Sequence, residues 1–481
     1  MTSGISLSTM KRWTLVVVCA ATAMLMLDIA VVNTALSRIA EDLNTGLSGL
    51  QWVVDAYTLA LASVVLTASA LADRFDRRRL FAIGLVVFTI SSAACAAATD
   101  IVFLDVARAV QGLGGAVMFA VSLAILADAF PNPRERAGAL AAYGATIGGT
   151  FAVGPLVGGA LTSGLDWQWI FLINIPLGIA CLWITRSYVR ESRDPATPPV
   201  DWAGQAALVA GLFLLVLALL RGNEDGWGST IILAELAGAV AALMAFVAIE
   251  LRSTHPMLPL RLFRIPSFTG AQIAAFGISG SFFAVFLYMT LYLQQILGLS
   301  AIEAGLVYLP TTVVIFLVSG ASSQLGEKVS PRVMISVGLA LVAVGMALMT
   351  LAEVDSSWTA LLPGMLLAGV GTGLFNPSVI AVALGSVPIE QSGLAAGVND
   401  TFRQAGVAVG VAALGALVPA GAALGGGSPA KYVDGLHNAL FAGAGLAAVA
   451  AVAAAVLIRG EAHQAAMVDV PVEAELLPEA A

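Results

Sequence analysis

Three ionisable residues stand inside long apolar runs of the 481-residue chain: Asp28, Asp55 and Arg108. A charge in a membrane-spanning helix costs at least about 2.5–3.5 kcal/mol and usually faces a partner or a polar cavity. Counted along their helices, the three lie at comparable depth, in the outer half of one bundle. Two acids beside one arginine can exchange partners when one is protonated, which couples proton movement to a cation. The alternative interpretation is a static ion pair that holds helices together.

Further polar residues recur at helical spacing. Asp105, Arg108 and Gln111 lie three residues apart and therefore share one face of a helix. Asp105 either neutralises Arg108 one turn away or takes part in transport. Asp400 and Arg403 have the same spacing, so they either form a structural pair or supply charges to the cavity of a second bundle.

The composition requires membrane helices to position these groups. The chain is 59% hydrophobic and 11% charged, whereas a soluble domain carries roughly 25% charge. A water-soluble core of this length could not hide so much apolar surface. The three cysteines all lie in apolar runs, which argues against a disulfide framework. We therefore predict an all-α, polytopic membrane protein.

Fourteen apolar runs are long enough to cross a bilayer, and short loops separate them. The first lacks the short apolar core and small-residue cleavage site of a signal peptide, so we expect it to be retained. The predicted spans begin near Trp13, Gln51, Leu80, Ile101, Ala137, Trp169, Ala203, Thr230, Ser267, Glu303, Val333, Trp358, Gly393 and Leu436.

The basic residues predict the orientation of these helices. With the N-terminus and the even-numbered loops on one side, most of the 22 lysines and arginines fall on that side. The opposite side receives only Arg38, Arg221 and Lys431. Because cytoplasmic loops carry the excess of basic residues, both termini are expected in the cytoplasm of a multi-pass protein of the plasma, or inner, membrane.

An internal duplication divides the chain, since three short patterns return roughly 255 residues later, as in many transporter folds. The matching pairs are 71–78 with 325–332, 111–114 with 368–371, and 135–138 with 390–393. The predicted units are a six-helix bundle over 1–190, a linker and two inserted helices over 191–265, a second six-helix bundle over 266–460, and a disordered cytoplasmic tail over 461–481. We expect the inserted seventh and eighth helices to pack peripherally against lipid.

Seven stretches carry recognisable motifs. They are Leu27–Leu36 with Asp28 and Asn33, Gln51–Tyr57 with Asp55, Asp73-Arg74 with Arg77-Arg78, Arg108–Gly112, Gly154-Pro155-Leu-Val-Gly158-Gly159, Trp169–Gly178, and His255–Phe263. Together they resemble the fourteen-helix drug:proton antiporters of the major facilitator superfamily, the group that includes the QacA-like quaternary-ammonium exporters. The chain departs from the family pattern at Ser69 and Asp76 in the loop motif and at Thr150 before the fifth-helix motif, where glycines are usual.

The resemblance implies a conformational gate with two parts. In the family, the loop acid at Asp73 binds the N-terminal end of helix 13 in the outward-open state, and Arg74 and Arg77 belong to the same loop motif. The fifth-helix motif, with residues Gly154, Pro155, Gly158 and Gly159, seals the cavity and distinguishes antiporters from symporters. From the residues alone, the arginines orient the protein, and glycines four apart permit close helix approach.

We therefore expect a proton-coupled multidrug efflux antiporter that exports lipophilic cations such as quaternary ammoniums, dyes and antiseptics. Asp28, Asp55 and Arg108 would exchange the proton and the cation, and Asn33, Gln111, Asp400 and Arg403 would line the cavity. No phosphate-binding G-x-x-x-x-G-K-[ST] motif occurs, which argues against ATP as the direct driving force. No segment outside the membrane is long enough for a catalytic domain, so we do not expect an enzyme.

The other expectations follow from this function. The exporter needs no cofactor beyond the proton gradient, and its scattered histidines make no metal site. Its partners are lipophilic small molecules, protons and the lipid bilayer, without nucleic acid, and we expect a monomer. A dedicated exporter of one antibiotic or metabolite on the same fold is the first alternative. A non-transporting membrane sensor or scaffold, which would need no titratable cavity groups, is the second.

Overall fold

The computed structural model describes residues 7–192, 200–326, 328–388, 391–419 and 427–459, without the side chains of Ala70, Asp73, Pro133, Ala137 and Ser323. These residues form fourteen long helices, so the predicted all-α membrane fold is confirmed. The predicted tail over 461–481 and most of the predicted linker lie outside the described residues.

The helices follow one another through short connections. Their bounds are α1 Leu7–Asp42, α2 Leu47–Arg74, α3 Arg77–Ala96, α4 Ile101–Ala129, α5 Pro133–Gly164, α6 Trp169–Tyr188, α7 Trp202–Asp225, α8 Thr230–Arg252, α9 Pro266–Ile296, α10 Ala301–Leu325, α11 Pro331–Met349, α12 Leu362–Gly385, α13 Ser392–Gly415 and α14 Pro429–Leu457. α9 widens into a π-helical turn at Ser279–Phe283 and again at Tyr292–Ile296.

Thirteen of these helices are long and apolar enough to cross a membrane. The remaining one, α13, has a polar central turn that includes Asn399, Asp400 and Arg403. Large apolar side chains also point outward, among them Met244 and Val456, which are 68% and 72% exposed. Such surfaces are unfavourable in water and fit a lipid environment, in which helices satisfy their own backbone hydrogen bonds.

The helices are arranged in two bundles. In the first, α1 packs against α5, α2 and α3 pack against α4, and α3 packs against α6. In the second, α11 packs against α12 and α14, α9 packs against α13 and α14, and α10 packs against α12. Two seams join the bundles, one between α5 and α10 and the other between α2 and α13. We call the face with the starts of α1 and α9 the terminal face, and the face with the α1–α2 loop the distal face.

The inserted helices only partly match the expectation of peripheral packing. α8 packs mainly against α7, but α7 lies against both α2 and α13 and so touches both bundles. Polar side chains hold it there. Gln205 Nε2 donates to the Ser63 carbonyl of α2 at 2.9 Å, and Asn223 Nδ2 donates to the Ala416 carbonyl at the end of α13 at 2.7 Å. On a helix packed only against lipid, these amide side chains would lack hydrogen-bond partners.

Candidate functional site

A buried ion pair lies at the centre of the first bundle. Arg108 Nη1 of α4 approaches Asp28 Oδ2 of α1 to 2.5 Å, and both residues are at most 2% exposed. Arg108 Nε also donates to the Val53 carbonyl of α2 at 3.0 Å. The Arg108 guanidinium carbon lies 4.3 Å from the ring centre of Tyr57, so a cation–π contact covers its face.

Amides satisfy the other oxygen of Asp28. Gln111 Nε2 donates to Asp28 Oδ1 at 2.8 Å, and Asn174 Nδ2 of α6 donates to the same oxygen at 3.1 Å. Both amides also donate to Ser92 Oγ of α3, at 2.9 and 3.3 Å. We call Asp28, Ser92, Arg108, Gln111 and Asn174 the Asp28 cluster. It ties four helices together and gives the buried carboxylate three donors, as a charge in low dielectric requires.

The cluster partly matches the sequence prediction. Asp28 and Arg108 are brought together as expected, and Gln111, which was expected to line the cavity, joins them. Asp105 is not the ion-pair partner of Arg108. Within the described part of the chain, Asp105 Oδ1 is buried without a hydrogen-bond partner. The sequence prediction gave Asn174 no role of its own, although it belongs to the sixth-helix motif. The signal that points to it is its amide side chain in an apolar helix.

Asp55 does not join the cluster. It lies two residues from Val53 and two from Tyr57, both of which contact Arg108. Two residues turn a helix by about 200°, so Asp55 faces away from Arg108. The expected exchange of Arg108 between Asp28 and Asp55 is therefore wrong for this structure. Equal depth in the membrane did not predict the face of the helix.

Asp55 instead faces the seam between the bundles. Its side chain is 0% exposed, and neither carboxylate oxygen has a hydrogen-bond partner among the described residues. Gln51, one turn earlier on the same face of α2, donates to the Tyr288 hydroxyl of α9 at 2.8 Å. That hydroxyl donates in turn to the Val411 carbonyl of α13. Asp55 therefore lies beside the second bundle.

The second bundle contributes its own charges. Asp400 of α13 is 9% exposed, and its Oδ2 lacks a hydrogen-bond partner in the described part of the chain. Gly397, one turn earlier on the same face of α13, lies against α2, because a Cβ atom there would meet Leu66 Cδ2 at 3.3 Å, so this face of α13 points toward the first bundle. No ion pair within 4 Å joins Asp400 to Arg403 among the described residues. Both interpretations of these two residues therefore stay open.

Aromatic side chains from both bundles meet near the middle of the α5–α10 seam. Phe151 of α5 lies edge-on to Phe283 of α9, with ring centres 5.5 Å apart. Phe286 of α9 stacks on Tyr308 of α10 at 4.8 Å. We call these four residues the aromatic cluster. Aromatic faces attract cations and apolar groups alike. Asn33 of α1 is half-buried, and among the described residues its amide donates only to its own helix, to the Ile29 carbonyl at 3.3 Å.

The fifth-helix motif packs α5 on two sides. A Cβ atom placed on Gly154 would meet Ala30 Cβ of α1 at 2.4 Å, and one on Gly158 would meet Val31 Cα at 2.7 Å. A Cβ atom on Gly159 would meet the Ala301 carbonyl of α10 at 2.4 Å. The motif therefore permits close contact within its bundle and across the seam.

The seam between α5 and α10 is tight toward the distal face. The Pro155 carbonyl lies against Gly305, Thr312 Oγ1 donates to the Ala152 carbonyl at 2.8 Å, and the Ile302 amide donates to Ser163 Oγ at 3.0 Å. In the terminal half of α5 the packing is looser, because a Cβ atom on Gly144 would meet no atom within 4 Å. The bundles are thus closed on the distal side along this seam.

The loop part of the predicted gate lies on the terminal face. Asp76 caps α3 by accepting from the Arg78 amide, and the Arg77 amide donates to the Ser192 carbonyl at 2.9 Å. Arg74 is exposed. The Asp73 side chain lies outside the described residues, so its contact with the start of α13 stays a prediction.

Comparisons with known proteins agree with this architecture. The sequence model described as Major Facilitator Superfamily matches residues 18–411 and, in a second match, 324–470. The chain is 35% identical over 400 residues to the multidrug resistance protein Stp of Mycobacterium tuberculosis, covering 82% of this chain and 74% of that protein. It is 36% identical over 438 residues to the puromycin resistance protein pur8 of Streptomyces alboniger, covering 88% and 86%. A crystal structure of a peptide transporter POT in complex with sulfate has the same fold, with a TM-score of 0.67, 13% identity, and coverage of 94% and 97%.

Asp28→Asn should destabilise the protein, because it leaves Arg108 charged and buried without its counter-charge. Removing one partner of a buried pair typically costs about 3–5 kcal/mol. We expect a clearly lower thermal unfolding midpoint for the purified variant in detergent. Asp105→Asn is the matched control, since Asp105 does not pair with Arg108. Equal midpoints for D28N and D105N would contradict the assigned role of the Asp28 cluster.

Gly159→Ala should loosen the distal side of the α5–α10 seam, because the new methyl group would press on the Ala301 carbonyl. Overpacking of this kind costs roughly 1–3 kcal/mol, which would raise the open population at least about fivefold. The measurement is labelling of a cysteine at Ala304, in a chain without native cysteines, by a membrane-impermeant maleimide from the distal side. Gly149→Ala is the control, since a Cβ atom there meets nothing within 4 Å. Identical labelling rates for G159A and G149A would count against the close contact.

Proposed function

The chain belongs to the major facilitator superfamily, and from this we propose that it exports lipophilic, cationic drugs across the plasma membrane in exchange for protons. The names of its relatives support drug efflux, since Stp is called a multidrug resistance protein and pur8 a puromycin resistance protein. The observation that carries the proposal is Asp55, a buried carboxyl at the seam between two bundles with no hydrogen-bond partner among the described residues.

A carboxylate in that position has to be neutralised. Burying an isolated charge costs far more than burying a paired one. A proton on Asp55 removes the charge, and a bound organic cation compensates it, but the carboxylate cannot accept both. Binding of the drug cation therefore requires release of the proton, and return of the proton expels the cation. This competition is the coupling that antiport needs.

Asp28 has a different part in this proposal. Its carboxylate already accepts three hydrogen bonds, one of them from Arg108. We therefore assign the main exchange of proton and cation to Asp55. The Asp28 cluster joins α1, α3, α4 and α6 and keeps the first bundle rigid while the bundles rock. Protonation of Asp28 would weaken its bond to Arg108, so the cluster remains a second candidate coupling group.

The seam supplies a surface for the rest of the substrate. The aromatic cluster offers flat apolar contact area, and Asp400 adds a buried acid on the face of α13 that points toward the first bundle. Asn33, Gln111 and Arg403 remain candidate cavity residues in this scheme, although Gln111 is already engaged by Asp28. A lipophilic cation fits such a surface better than an anion or a sugar would.

Alternating access follows from the two seams. The distal side is closed by the contacts of Gly159 and Thr312 with the opposite bundle. The positive-inside pattern supports a cytoplasmic terminal face, so the structure would correspond to an inward-facing state that loads substrate from the cytoplasm. Rocking of the bundles would then open the distal side and expose Asp55 to external protons.

A dedicated exporter of one antibiotic is the second candidate function. The similarity to a protein named for resistance to puromycin favours it. The two candidates share the coupling chemistry and differ in substrate range. A sensor or scaffold would show no transport at all.

Asp55→Asn should abolish transport driven by a pH gradient, because the amide neither binds a proton nor carries a negative charge. The assay is accumulation of ethidium by proteoliposomes under an imposed pH gradient. We expect a loss of at least about a hundredfold, at the lower end of what a positioned proton-transfer group contributes. Asp434→Asn, an acid-to-amide change at an exposed position of α14, is the control and should transport normally.

The same assay separates the alternatives. Gradient-driven accumulation by D55N at the wild-type rate would overturn the proposed coupling. Transport of several unrelated cations by the wild-type protein would favour a multidrug exporter, whereas transport of a single compound would favour a dedicated one. No accumulation of any compound under any gradient would leave the sensor interpretation.

A further inference from the structure

Two acids meet at the terminal end of the inserted helices. Asp201 directly precedes α7, and its Oδ1 accepts from the Gly204 amide at 2.8 Å. Glu250 lies in the last turn of α8 and is only 3% exposed. Its Oε2 accepts from the Leu258 amide at 3.0 Å, in the connection between α8 and α9. Each carboxyl therefore uses one oxygen to hold a backbone amide.

The other oxygen of each carboxyl is unsatisfied. Asp201 Oδ2 and Glu250 Oε1 are both buried, without a hydrogen-bond partner in the described part of the chain. A Cβ atom on Gly204 would lie 2.8 Å from Glu250 Oε1 and 3.1 Å from Asp201 Oδ2, so the missing side chain permits their approach. The two oxygens are no more than about 6 Å apart, a distance at which each negative charge opposes the ionisation of the other.

The two carboxyls have no counter-charge among the described residues. No ion pair within 4 Å includes either of them there. The other charged or titratable residues on the elements packed around them are Arg252 on α8, His255, Arg261 and Arg264 on the connection, Asp73 and Arg74 on α2, and Asp400 and Arg403 on α13. Arg74 and the four residues of α8 and the connection are exposed. Solvent therefore screens the nearest basic groups.

One proton would satisfy both unsatisfied oxygens. A hydroxyl on Glu250 Oε1 can donate to Asp201 Oδ2, and the pair then carries one negative charge in place of two. A buried charge that accepts such a hydrogen bond is far less costly than one without a partner. A metal ion would need more ligands, and the described residues contain no group of three or more histidines, cysteines or acids suited to hold one.

The connection between α8 and α9, residues 253–265, crosses the terminal end of the α2–α13 seam. Met257 lies against α2, because its Sδ accepts from Thr67 Oγ1 at 3.6 Å. Phe263 lies against Phe402 of α13, with ring centres 5.7 Å apart. The bond from the acid pair to this connection therefore acts on a segment that contacts both bundles.

We propose that Asp201 and Glu250 form a binding site for one shared proton, and that this proton keeps the α8–α9 connection attached across the seam. When the proton leaves, the O–H bond of Glu250 breaks and the proton passes to water at the terminal face. The two carboxylates then repel each other, Glu250 turns toward solvent, and the Leu258 amide is released. The attached connection binds the proton more tightly than the released one, so release increases as the pH at the terminal face rises.

This assignment gives the inserted helices and the last sequence motif a joint function. Asp201 comes with α7, Glu250 with α8, and Leu258 with the motif His255–Phe263. The two six-helix bundles alone would lack this pH-dependent contact. The shared proton is separate from the one assigned to Asp55, so the inference does not rest on the proposed function.

Cysteine labelling at Met257 tests the proposal. A chain without native cysteines carries Met257→Cys, and the purified protein reacts with a charged methanethiosulfonate between about pH 6 and about pH 9. The reference is the same chain with Glu250→Gln, whose amide can donate to Asp201 and accept from Leu258 at every pH. We expect the rate of M257C divided by that of M257C/E250Q to rise at least about tenfold with pH, equivalent to one unit of proton affinity. The division removes the ordinary pH dependence of the thiol.

Matched variants sharpen this measurement. Asp201→Asn replaces the other acid, and its amide can donate to Glu250 while its oxygen still caps α7, so it should also abolish the pH-dependent release. Asp434→Asn, at an exposed acid of α14, should keep it. A rate ratio that does not change with pH would overturn the proposal, and so would faster labelling of the E250Q chain at every pH. Labelling that follows added Ca²⁺ or Mg²⁺ at constant pH would identify a metal site instead.

Thermal unfolding gives a second test without a cysteine at Met257. At about pH 9 we expect E250Q and D201N to unfold at a higher temperature than the wild-type protein, and at about pH 6 the three midpoints should agree. If an ionised Glu250 holds the connection, E250Q should lower the midpoint at both pH values, which would overturn the shared proton. Neither measurement involves transport, so the result for D55N bears only on the proposed function.

Discussion

The ion pair between Arg108 and Asp28 is the interaction on which the first bundle depends. A guanidinium in hydrocarbon is tolerated only with a counter-charge and with its remaining donors satisfied. Asp28, Gln111 and the Val53 carbonyl meet that requirement, and in doing so they connect α1, α4 and α2 at one point. The position of these helices follows from satisfying one buried cation. α2 is thereby held with its opposite face, and Asp55 on it, against the second bundle.

The surroundings of Asp55 differ from those of Asp28. Two acids in one bundle have opposite surroundings, one saturated by three donors and the other without a partner in the described part of the chain. The saturated carboxylate suits a rigid structural role, and the unsaturated one suits exchange between ligands. In the proposed cycle Asp55 lies on a seam that would change during transport, so its neutralisation and the movement of the bundles would act on the same contacts.

Most of the fold could be predicted from the sequence, because hydrophobic length and the placement of basic residues govern helices in a bilayer. The site was less predictable. Depth along a helix placed Asp28, Asp55 and Arg108 at one level, but rotation about the helix axis decides which groups meet, and α2 turns Asp55 away. The hydrogen bond from Asn174 to Asp28 was not predicted. The sixth-helix motif indicates a family likeness, but it does not show which charged group the buried amide contacts. The contacts of α7 depend on how two bundles come together, which no local pattern encodes.

The attachment of α7 by its two ends to different bundles has a mechanical consequence. If the bundles rotate against each other, a rigid rod fastened to both must tilt or detach at one end. Trp227 marks the distal attachment, since its indole nitrogen donates to Asn223 Oδ1 at 3.0 Å while the Asn223 amide holds the Ala416 carbonyl. The fluorescence emission of Trp227 should therefore change when the contact between Asn223 and the Ala416 carbonyl breaks. This tryptophan would then act as an intrinsic fluorescent reporter of the distal attachment of α7.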